Sequence, residues 1–207
     1  FFSIFALFEE EDDAINLVEA LRANPNEYPA VSPSSIEWFD EECLKLIRSS
    51  SPSFPSSGVA GIWCEQEADS SALDISMEQW FEILEIHKAD LEQSIFAQDK
   101  RGHDEIARLR HAIPAGINEQ VVANKMTKVG TDCSVPDEAL REIMAEYKKA
   151  PMESYLFGHI GDNHLHLNLL PKNSDELIIA KQFYRDLCRK AVELGGSVSA
   201  EHGIGKL

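Results

Sequence analysis

The pattern of apolar and polar positions is most regular in the second half of the chain, where period-two segments alternate with segments of helical period. This pattern predicts strands at 127–134, 153–160, 164–170 and 196–200, and helices at 137–149 and 174–194. The resulting order is β-α-β-β-α-β, which is the order of the ferredoxin-like fold. From it we expect an antiparallel sheet with helices packed on one face.

The first half shows a less regular version of the same order. It predicts strands at 1–8, 36–39 and 59–64, helices at 12–23, 40–49 and 76–98, and, beyond a break at 99–102, a further helix through Arg108 and Arg110. We therefore predict an α+β fold made of two ferredoxin-like (βαββαβ) subdomains, 1–100 and 101–207. A sequence repeat between the two halves is not evident.

One predicted strand carries a polar side chain at every second position. His164, His166 and Asn168 alternate with three leucines, so the polar groups point to one face of the strand and the leucines to the other. The segment Gly161-Asp162-Asn163, which precedes this strand, favours a tight turn. A hairpin at this turn would bring His159, at the end of the preceding strand, beside His166. A surface turn with incidental histidines does not explain the alternation with leucine.

A second polar segment follows the small-residue strand predicted at 196–200. It contains Glu201 and His202 and ends in a glycine-rich turn, and it could reach the same edge of the sheet. Together the two segments hold several imidazoles and a carboxylate, which are the ligands of a divalent-metal site with groups to spare for acid–base chemistry. Taken alone, Glu201 is explained equally well as a solvated carboxylate.

Composition narrows the class of protein. The 207 residues have a net charge of −17, which argues against binding nucleic acid or anionic membranes through a general basic surface. The sequence has no apolar run long enough to span a membrane. Its four cysteines form no C-x-x-C pair and predict reduced, mostly buried thiols. We expect a cytoplasmic protein, with peripheral attachment to an inner membrane left open.

The two polar segments, Gly158–Asn168 and Ser199–Gly205, resemble the signatures of the C-terminal domain of FAD-linked oxidases. That family includes D-lactate dehydrogenase, the glycolate oxidase FAD subunit and D-2-hydroxyglutarate dehydrogenase. Arg110–Pro114 and Lys128–Pro136 resemble the segments that carry the family's basic substrate anchors. The chain departs from the family where relatives show Gly-Asn after the aspartate, because it has Asn163-His164 instead.

The resemblance implies roles for the polar residues. His159, His166 and Glu201 match positions at which relatives place metal ligands, and the metal is expected to be zinc. His202 is then the expected general base. The additional imidazole of His164 lies near this set, either as a neighbour of the ligand sphere or as a structural histidine.

The resemblance also implies a substrate and a cofactor. Arg110 would bind the substrate carboxylate bidentately, Lys128 would assist as a point charge, and Asn168 would hydrogen-bond the substrate. The expected activity is oxidation of a D-2-hydroxy acid of the D-lactate, glycolate or D-2-hydroxyglutarate class to a 2-oxo acid by FAD. An electron-acceptor protein, a quinone and a homodimer stay open as partners.

The FAD itself is expected to bind elsewhere. The sequence contains no G-x-G-x-x-G fingerprint and no P-loop, so we expect residues 1–207 to be the C-terminal domain of a longer protein whose N-terminal domain binds FAD. Alone, this chain should be inactive. Two other functions fit the same residues: a metal-dependent hydrolase whose histidine cluster activates water, and a non-catalytic module that binds a metal or a small acid.

Overall fold

A computed structural model describes residues 1–23, 26–69 and 71–201. The chain packs as two units, Phe1–Ile113 and Pro114–Leu207. In each unit helices accompany antiparallel strands, so the predicted α+β class is confirmed. The duplication of a ferredoxin-like order, with halves at 1–100 and 101–207, stays a prediction. No helix among the described residues is both long and apolar enough to cross a membrane.

The first unit consists of strands and helices in strict alternation. In chain order they are β1 (Phe2–Phe8), α1 (Glu11–Ala23), β2 (Ser35–Phe39), α2 (Glu41–Ser50), β3 (Ala60–Gln66), α3 (Leu73–Ile86), β4 (Ile95–Ala97) and the first part of α4 (Lys100–Asn124). The strands of this unit are hydrogen-bonded in the order β4-β1-β3-β2, and every pair is antiparallel.

The core of the first unit is built on β1, whose seven residues are all buried. Phe5 stacks on Phe39 with ring centroids 5.2 Å apart and meets Phe54 edge-on at 5.4 Å. Trp38 and Trp80 are fully buried. Such a strand is apolar on both faces and contributes burial of hydrophobic area, which explains why its sequence shows no alternation.

The helix predicted at 76–98 is wrong beyond Ile86. The chain leaves the helix at His87 and Lys88, the latter with φ of 57°, and Asp90 then organises a turn by accepting from the backbone N–H of Gln93 at 3.2 Å. Residues Ile95–Ala97 then pair with β1 as strand β4. The apolar run at 95–97 therefore completes a sheet edge, a tertiary choice that helical periodicity alone does not reveal.

The charged residues at 99–102 start a helix rather than break one. Asp99 accepts from the backbone N–H of Gly102 at 2.8 Å, as an N-terminal capping residue does, and α4 begins at Lys100. The helix continues through Pro114 to Asn124.

The second unit contains the rest of α4 and a three-stranded sheet. Its further elements are β5 (Val129–Gly130), a 3₁₀ turn at Asp137–Ala139, α5 (Leu140–Tyr147), β6 (Ser154–His159), a 3₁₀ turn at Ile160–Asp162, β7 (His164–Leu169) and α6 (Ser174–Glu193). The strands of this unit lie in the order β6-β7-β5, with antiparallel neighbours.

Two strands predicted for this unit are much shorter than expected. The strand predicted at 127–134 ends as a regular ladder at Gly130, because the hydroxyl of Thr131 accepts from the backbone N–H of Leu167 at 2.9 Å. The strand predicted at 196–200 is reduced to a bridge between Ser134 and Ser197. This glycine- and serine-rich segment has few apolar side chains to pack, so it forms no regular ladder and its backbone pairs only at isolated positions.

Candidate functional site

The histidines lie on the β6–β7 hairpin, which the sequence predicted and the structure confirms. Across the two strands, His159 is opposite His164, Phe157 is opposite His166 and Tyr155 is opposite Asn168. These three pairs share one face of the hairpin, since side chains on a strand alternate. The His159 ring lies 6.0 Å from the His164 ring and 6.1 Å from the His166 ring, so His159 adjoins both.

The turn of the hairpin accommodates Asn163, which stands where the family pattern has glycine. Asn163 has φ of 50° and ψ of 32°, the left-handed conformation that glycine and asparagine tolerate best. Its side-chain amide donates to Asp137 at 2.8 Å. Asp162 is exposed, as expected of a turn residue. An asparagine can thus replace glycine at this position, and the next residue, His164, begins β7.

Gly158 makes room for an imidazole. Its φ is 133°, and a Cβ at this position would lie 2.9 Å from Cδ2 of His166. Any other residue would therefore strain the backbone and displace the His166 ring. The glycine before the first histidine is part of the site's geometry.

The three predicted metal ligands lie together. Ligand atoms of His159, His166 and Glu201 are all within 4.8 Å of one another, and His159 Nε2 is 3.6 Å from a Glu201 oxygen. The His159 side chain is 33% exposed and that of Glu201 47%, so the cluster opens to solvent. Two imidazoles and one carboxylate fit a divalent cation that retains open positions for a substrate.

A second, more deeply buried group shares His166. Asp132 Oδ1 accepts from His164 Nε2 at 2.7 Å, and His166 Nδ1 lies 4.0 Å from the same oxygen. These three residues also form a group whose ligand atoms lie within 4.8 Å of one another. Our sequence analysis missed Asp132. The only available signal was a charged residue inside a segment predicted to be a buried strand.

Asp132 also holds the segment that carries Glu201. Its Oδ2 accepts from the Ser199 hydroxyl and from the backbone N–H of Glu201, both at 3.2 Å, and its backbone carbonyl accepts from Ala200 N–H at 3.0 Å. A buried carboxylate needs such donors, and here they also order the neighbouring segment. Side-chain hydrogen bonds therefore replace the strand predicted at 196–200.

Two predicted substrate-binding residues lie in direct contact. The Lys128 amino group donates to Oδ1 of buried Asn168 at 2.6 Å, and Asn168 Nδ2 donates to the His166 carbonyl at 3.2 Å. Partial burial, which disfavours the charged form, lowers the pKa of Lys128 below its ordinary value. The polar face of the hairpin thus runs from an ammonium–amide pair at one end to the imidazole cluster at the other.

Arg110 lies in the first unit, where it has a structural partner. Its Nε and Nη2 donate to the two oxygens of Glu37 at 2.7 and 2.8 Å, and its guanidinium carbon lies 5.9 Å from the centroid of the Trp63 ring. The Glu37 side chain is only 8% exposed. The bidentate edge of Arg110 therefore neutralises a buried carboxylate, and its substrate role stays a prediction.

His202, the predicted general base, lies outside the described residues. The described chain ends at Glu201, so the structure does not test the role of His202 or its placement relative to the imidazoles.

The fold and the donor cluster define an α+β domain built around a hairpin whose imidazoles lie beside the Glu201 carboxylate. The chain belongs to the family described as "FAD linked oxidases, C-terminal domain", whose sequence profile matches residues 3–207.

Three similar proteins carry names that fit this family. The chain is 25% identical to the glycolate oxidase subunit GlcD of Bacillus subtilis over 99% of its own length and 43% of the relative's. It is 28% identical to D-2-hydroxyglutarate dehydrogenase of Xanthomonas citri pv. viticola, over 70% of this chain and 30% of that protein. It is 31% identical to D-lactate dehydrogenase of Anaerostipes hadrus, over 45% of this chain and 21% of that protein. The chain therefore spans less than half the length of these relatives.

Solved structures show the same fold. A structure of alkyldihydroxyacetonephosphate synthase matches 95% of this chain and 40% of its own chain with a TM-score of 0.65 at 18% identity. A substrate-bound p-cresol methylhydroxylase matches 96% of this chain and 44% of its own chain with a TM-score of 0.60 at 12% identity.

Proposed function

We propose that this chain is the substrate- and metal-binding domain of an FAD-dependent dehydrogenase or oxidase of D-2-hydroxy acids. The substrate would belong to the D-lactate, glycolate or D-2-hydroxyglutarate class, in line with the printed names of the relatives. A domain N-terminal to this chain would bind the FAD. We place the protein in the cytoplasm, with an electron-acceptor protein or a quinone taking up the electrons.

The observation that carries the proposal is the convergence of His159, His166 and Glu201 at one end of the hairpin face, within 4.8 Å of one another. His159 lies on β6, His166 on β7, and Glu201 in the segment after α6. The side chains of His159 and Glu201 are only partly shielded from solvent. Two neutral nitrogens and one carboxylate oxygen match a catalytic zinc site better than a magnesium or calcium site, which would be rich in oxygen ligands.

The chemistry required is the oxidation of a secondary or primary alcohol next to a carboxylate. When bound, the zinc would lower the pKa of the substrate hydroxyl and orient it as a Lewis acid does. His202 would accept the hydroxyl proton. The proposed ligand Glu201 and the proposed base His202 are adjacent in sequence, and the hydrogen bonds from Ser199 and Glu201 to Asp132 hold Glu201 in place.

The substrate carboxylate needs cationic and hydrogen-bonding partners. The Lys128 ammonium and the Asn168 amide lie on the same hairpin face as His166, and they are already paired with each other. A bound carboxylate would take up the ammonium in place of the amide oxygen. Arg110 is the further anchor that the family resemblance suggests, and Glu37 would have to share its guanidinium with the substrate.

The test is dye reduction by the FAD-loaded parent protein with D-lactate, glycolate and D-2-hydroxyglutarate, before and after treatment with a chelator. We expect one of the three to be oxidised, loss of turnover on chelation and recovery with Zn²⁺. The variant H166A should lose zinc and turnover together, whereas the exposed-site control H111N should keep both.

Turnover that survives complete removal of metal would contradict the metal role. Hydrolysis of an ester or amide by the zinc-loaded chain without flavin would support the metal-dependent hydrolase instead. Zinc binding without turnover in the FAD-loaded protein would identify a binding module.

A further inference from the structure

The residue that departs from the family pattern, His164, has a fixed orientation. Its Nε2 lies 2.7 Å from Asp132 Oδ1, and both side chains are buried, with 5% and 10% of their area exposed. Because a carboxylate oxygen accepts hydrogen bonds, Nε2 carries the ring proton. In the neutral imidazole the lone pair therefore lies on Nδ1, at the opposite side of the ring from Asp132.

That Nδ1 faces the predicted metal site. It lies 3.9 Å from Glu201 Oε1, the same oxygen that lies 3.6 Å from His159 Nε2. Both separations exceed the length of a hydrogen bond. Donors that bind one zinc at about 2.0–2.2 Å are separated by roughly 3–4 Å. The two imidazoles thus stand at ligand-to-ligand spacing from one carboxylate oxygen.

His166 is oriented by the same logic. Its Nδ1 lies 3.2 Å from the Thr131 carbonyl, which can only accept, so Nδ1 carries the proton and Nε2 the lone pair. Its ring centroid is 4.5 Å from that of His164, closer than either ring is to His159. Backbone and carboxylate acceptors that fix the tautomer are the usual outer partners of metal-binding histidines.

We propose that His164 coordinates the same cation as His159, His166 and Glu201, through Nδ1, with Asp132 as the residue that positions its ring. This inference rests on the metal site of the proposed function and extends it from three protein donors to four. The domain of this chain would hold its cation with three imidazoles, where relatives that carry asparagine at this position would use two.

The donor set also defines the class of metal. Imidazole nitrogens favour borderline ions such as Zn²⁺ or Co²⁺, and carboxylate and carbonyl oxygens favour Mg²⁺ or Ca²⁺. A third imidazole therefore strengthens discrimination against the hard cations. A cation held by four protein donors would have to expand its coordination to bind a 2-hydroxy acid.

The test counts imidazoles around bound zinc. X-ray absorption at the zinc edge on the chain loaded with one equivalent of Zn²⁺ should give three imidazoles for the unmodified protein and two for H164N, which restores the family's asparagine. The matched control H111N alters an exposed histidine and should keep three. Competition with a chromophoric chelator should show zinc affinity weakened by at least roughly 10–100-fold in H164N, since even outer partners of metal ligands cost that much.

The positioning role of Asp132 has its own readout. D132N should leave the imidazole count at three and weaken zinc binding by about tenfold, because the amide can still hydrogen-bond the ring but no longer fixes its tautomer. If D132N shows two imidazoles, His164 has left the zinc. Asp132 would then be needed to hold the His164 ring in place, which also supports its positioning role. Unchanged affinity and count in D132N would overturn that role.

Two imidazoles in the unmodified protein would overturn coordination by His164 while leaving the three-ligand site of the proposed function intact. This measurement needs no variant, so misfolding of H164N cannot obscure it. Failure of the unmodified chain to bind Zn²⁺ at all would instead contradict the metal site itself, and His164 coordination with it.

Discussion

The sheet of the first unit and the hairpin of the second use β-strands in opposite ways. All residues of β1 are buried and nearly all are apolar, and β2 and β3 add Phe39 and Ile62 to the same core. On β6 and β7 the leucines take one face and the imidazoles and Asn168 take the other. The buried His164 and Asn168 side chains have fixed partners, Asp132 and Lys128. The sheet of the first unit therefore contributes mainly to stability. The hairpin of the second unit gives up part of its apolar burial to position polar side chains.

The largest expected effect is on turnover and comes from a change at the proposed site in the second unit. H202A in the FAD-loaded parent protein should reduce turnover by roughly 10²–10⁴-fold, the usual contribution of a positioned acid–base group. Its zinc content should stay near normal, because His159, His166 and Glu201 remain. Steady-state rates and metal analysis on H202A and H166A, side by side, measure this. Equal metal loss in both variants would make His202 a ligand, and the base would have to be sought elsewhere.

Truncating a core side chain in the first unit should lower stability and leave zinc binding unchanged. F5A removes a ring that is 0% exposed and packed between Phe39 and Phe54, so the free energy of unfolding should fall by about 3–5 kcal/mol. Urea denaturation measures the loss. Zinc affinity of the folded variant should stay within twofold of the unmodified chain, and a large loss of zinc affinity would show that the two regions are coupled.

Variants of Arg110 test whether this residue both stabilises the fold, by pairing with Glu37, and binds the substrate. R110A leaves the buried Glu37 carboxylate without its bidentate partner, so stability should fall by about 2–3 kcal/mol. The double variant R110A/E37Q removes the charge as well and should recover much of that stability. If Arg110 also binds substrate, the double variant will still show a raised KM. Recovery of both stability and KM would limit Arg110 to a structural role.

Gly158 tests how tightly the hairpin is built around His166. G158A forces a positive φ on a residue with a Cβ and pushes against the His166 ring, so it should destabilise the chain by roughly 1–3 kcal/mol and weaken zinc binding. G130A is the matched control, because a Cβ there would meet only Asn168 Oδ1, at an ordinary 3.6 Å. Similar losses in the two variants would mean that sheet disruption, and not the His166 contact, is responsible.

The smallest effect concerns a thiol pair next to the site. Cys133 and Cys188 have sulfurs 3.9 Å apart, and hydrogen bonds from Cys133 and then Tyr184 lower the pKa of Cys188 to about 7. Because the thiolate is the reactive form, alkylation of Cys188 by iodoacetamide should rise through pH 7, and C133A should move the midpoint upward. Mass mapping against pH measures this, with buried Cys43 as the internal control. A midpoint unchanged in C133A would contradict the role of the pair.

Regular local patterns were predicted well. The strands at β1, β2 and β3, the helices α1, α2 and α6, and the β6–β7 hairpin all follow from apolar periodicity and turn residues. Predictions failed where a tertiary partner decided the outcome. Residues 95–97 joined β1 rather than extending α3, and residues 196–200 were held by Asp132 and Ser134 rather than by a ladder.

The sequence by itself determined the donor chemistry and its order: imidazoles alternating with leucines, a following carboxylate, and a glycine where a ring must fit. It determined these because strand alternation and backbone tolerance are local properties of a chain. Only the tertiary structure decided which nitrogen of each imidazole faces the site, since that depends on acceptors 32 to 35 residues away, at Asp132 and Thr131. It also decided that Arg110 pairs with Glu37, 73 residues distant, because a buried carboxylate takes the nearest cation that folding supplies.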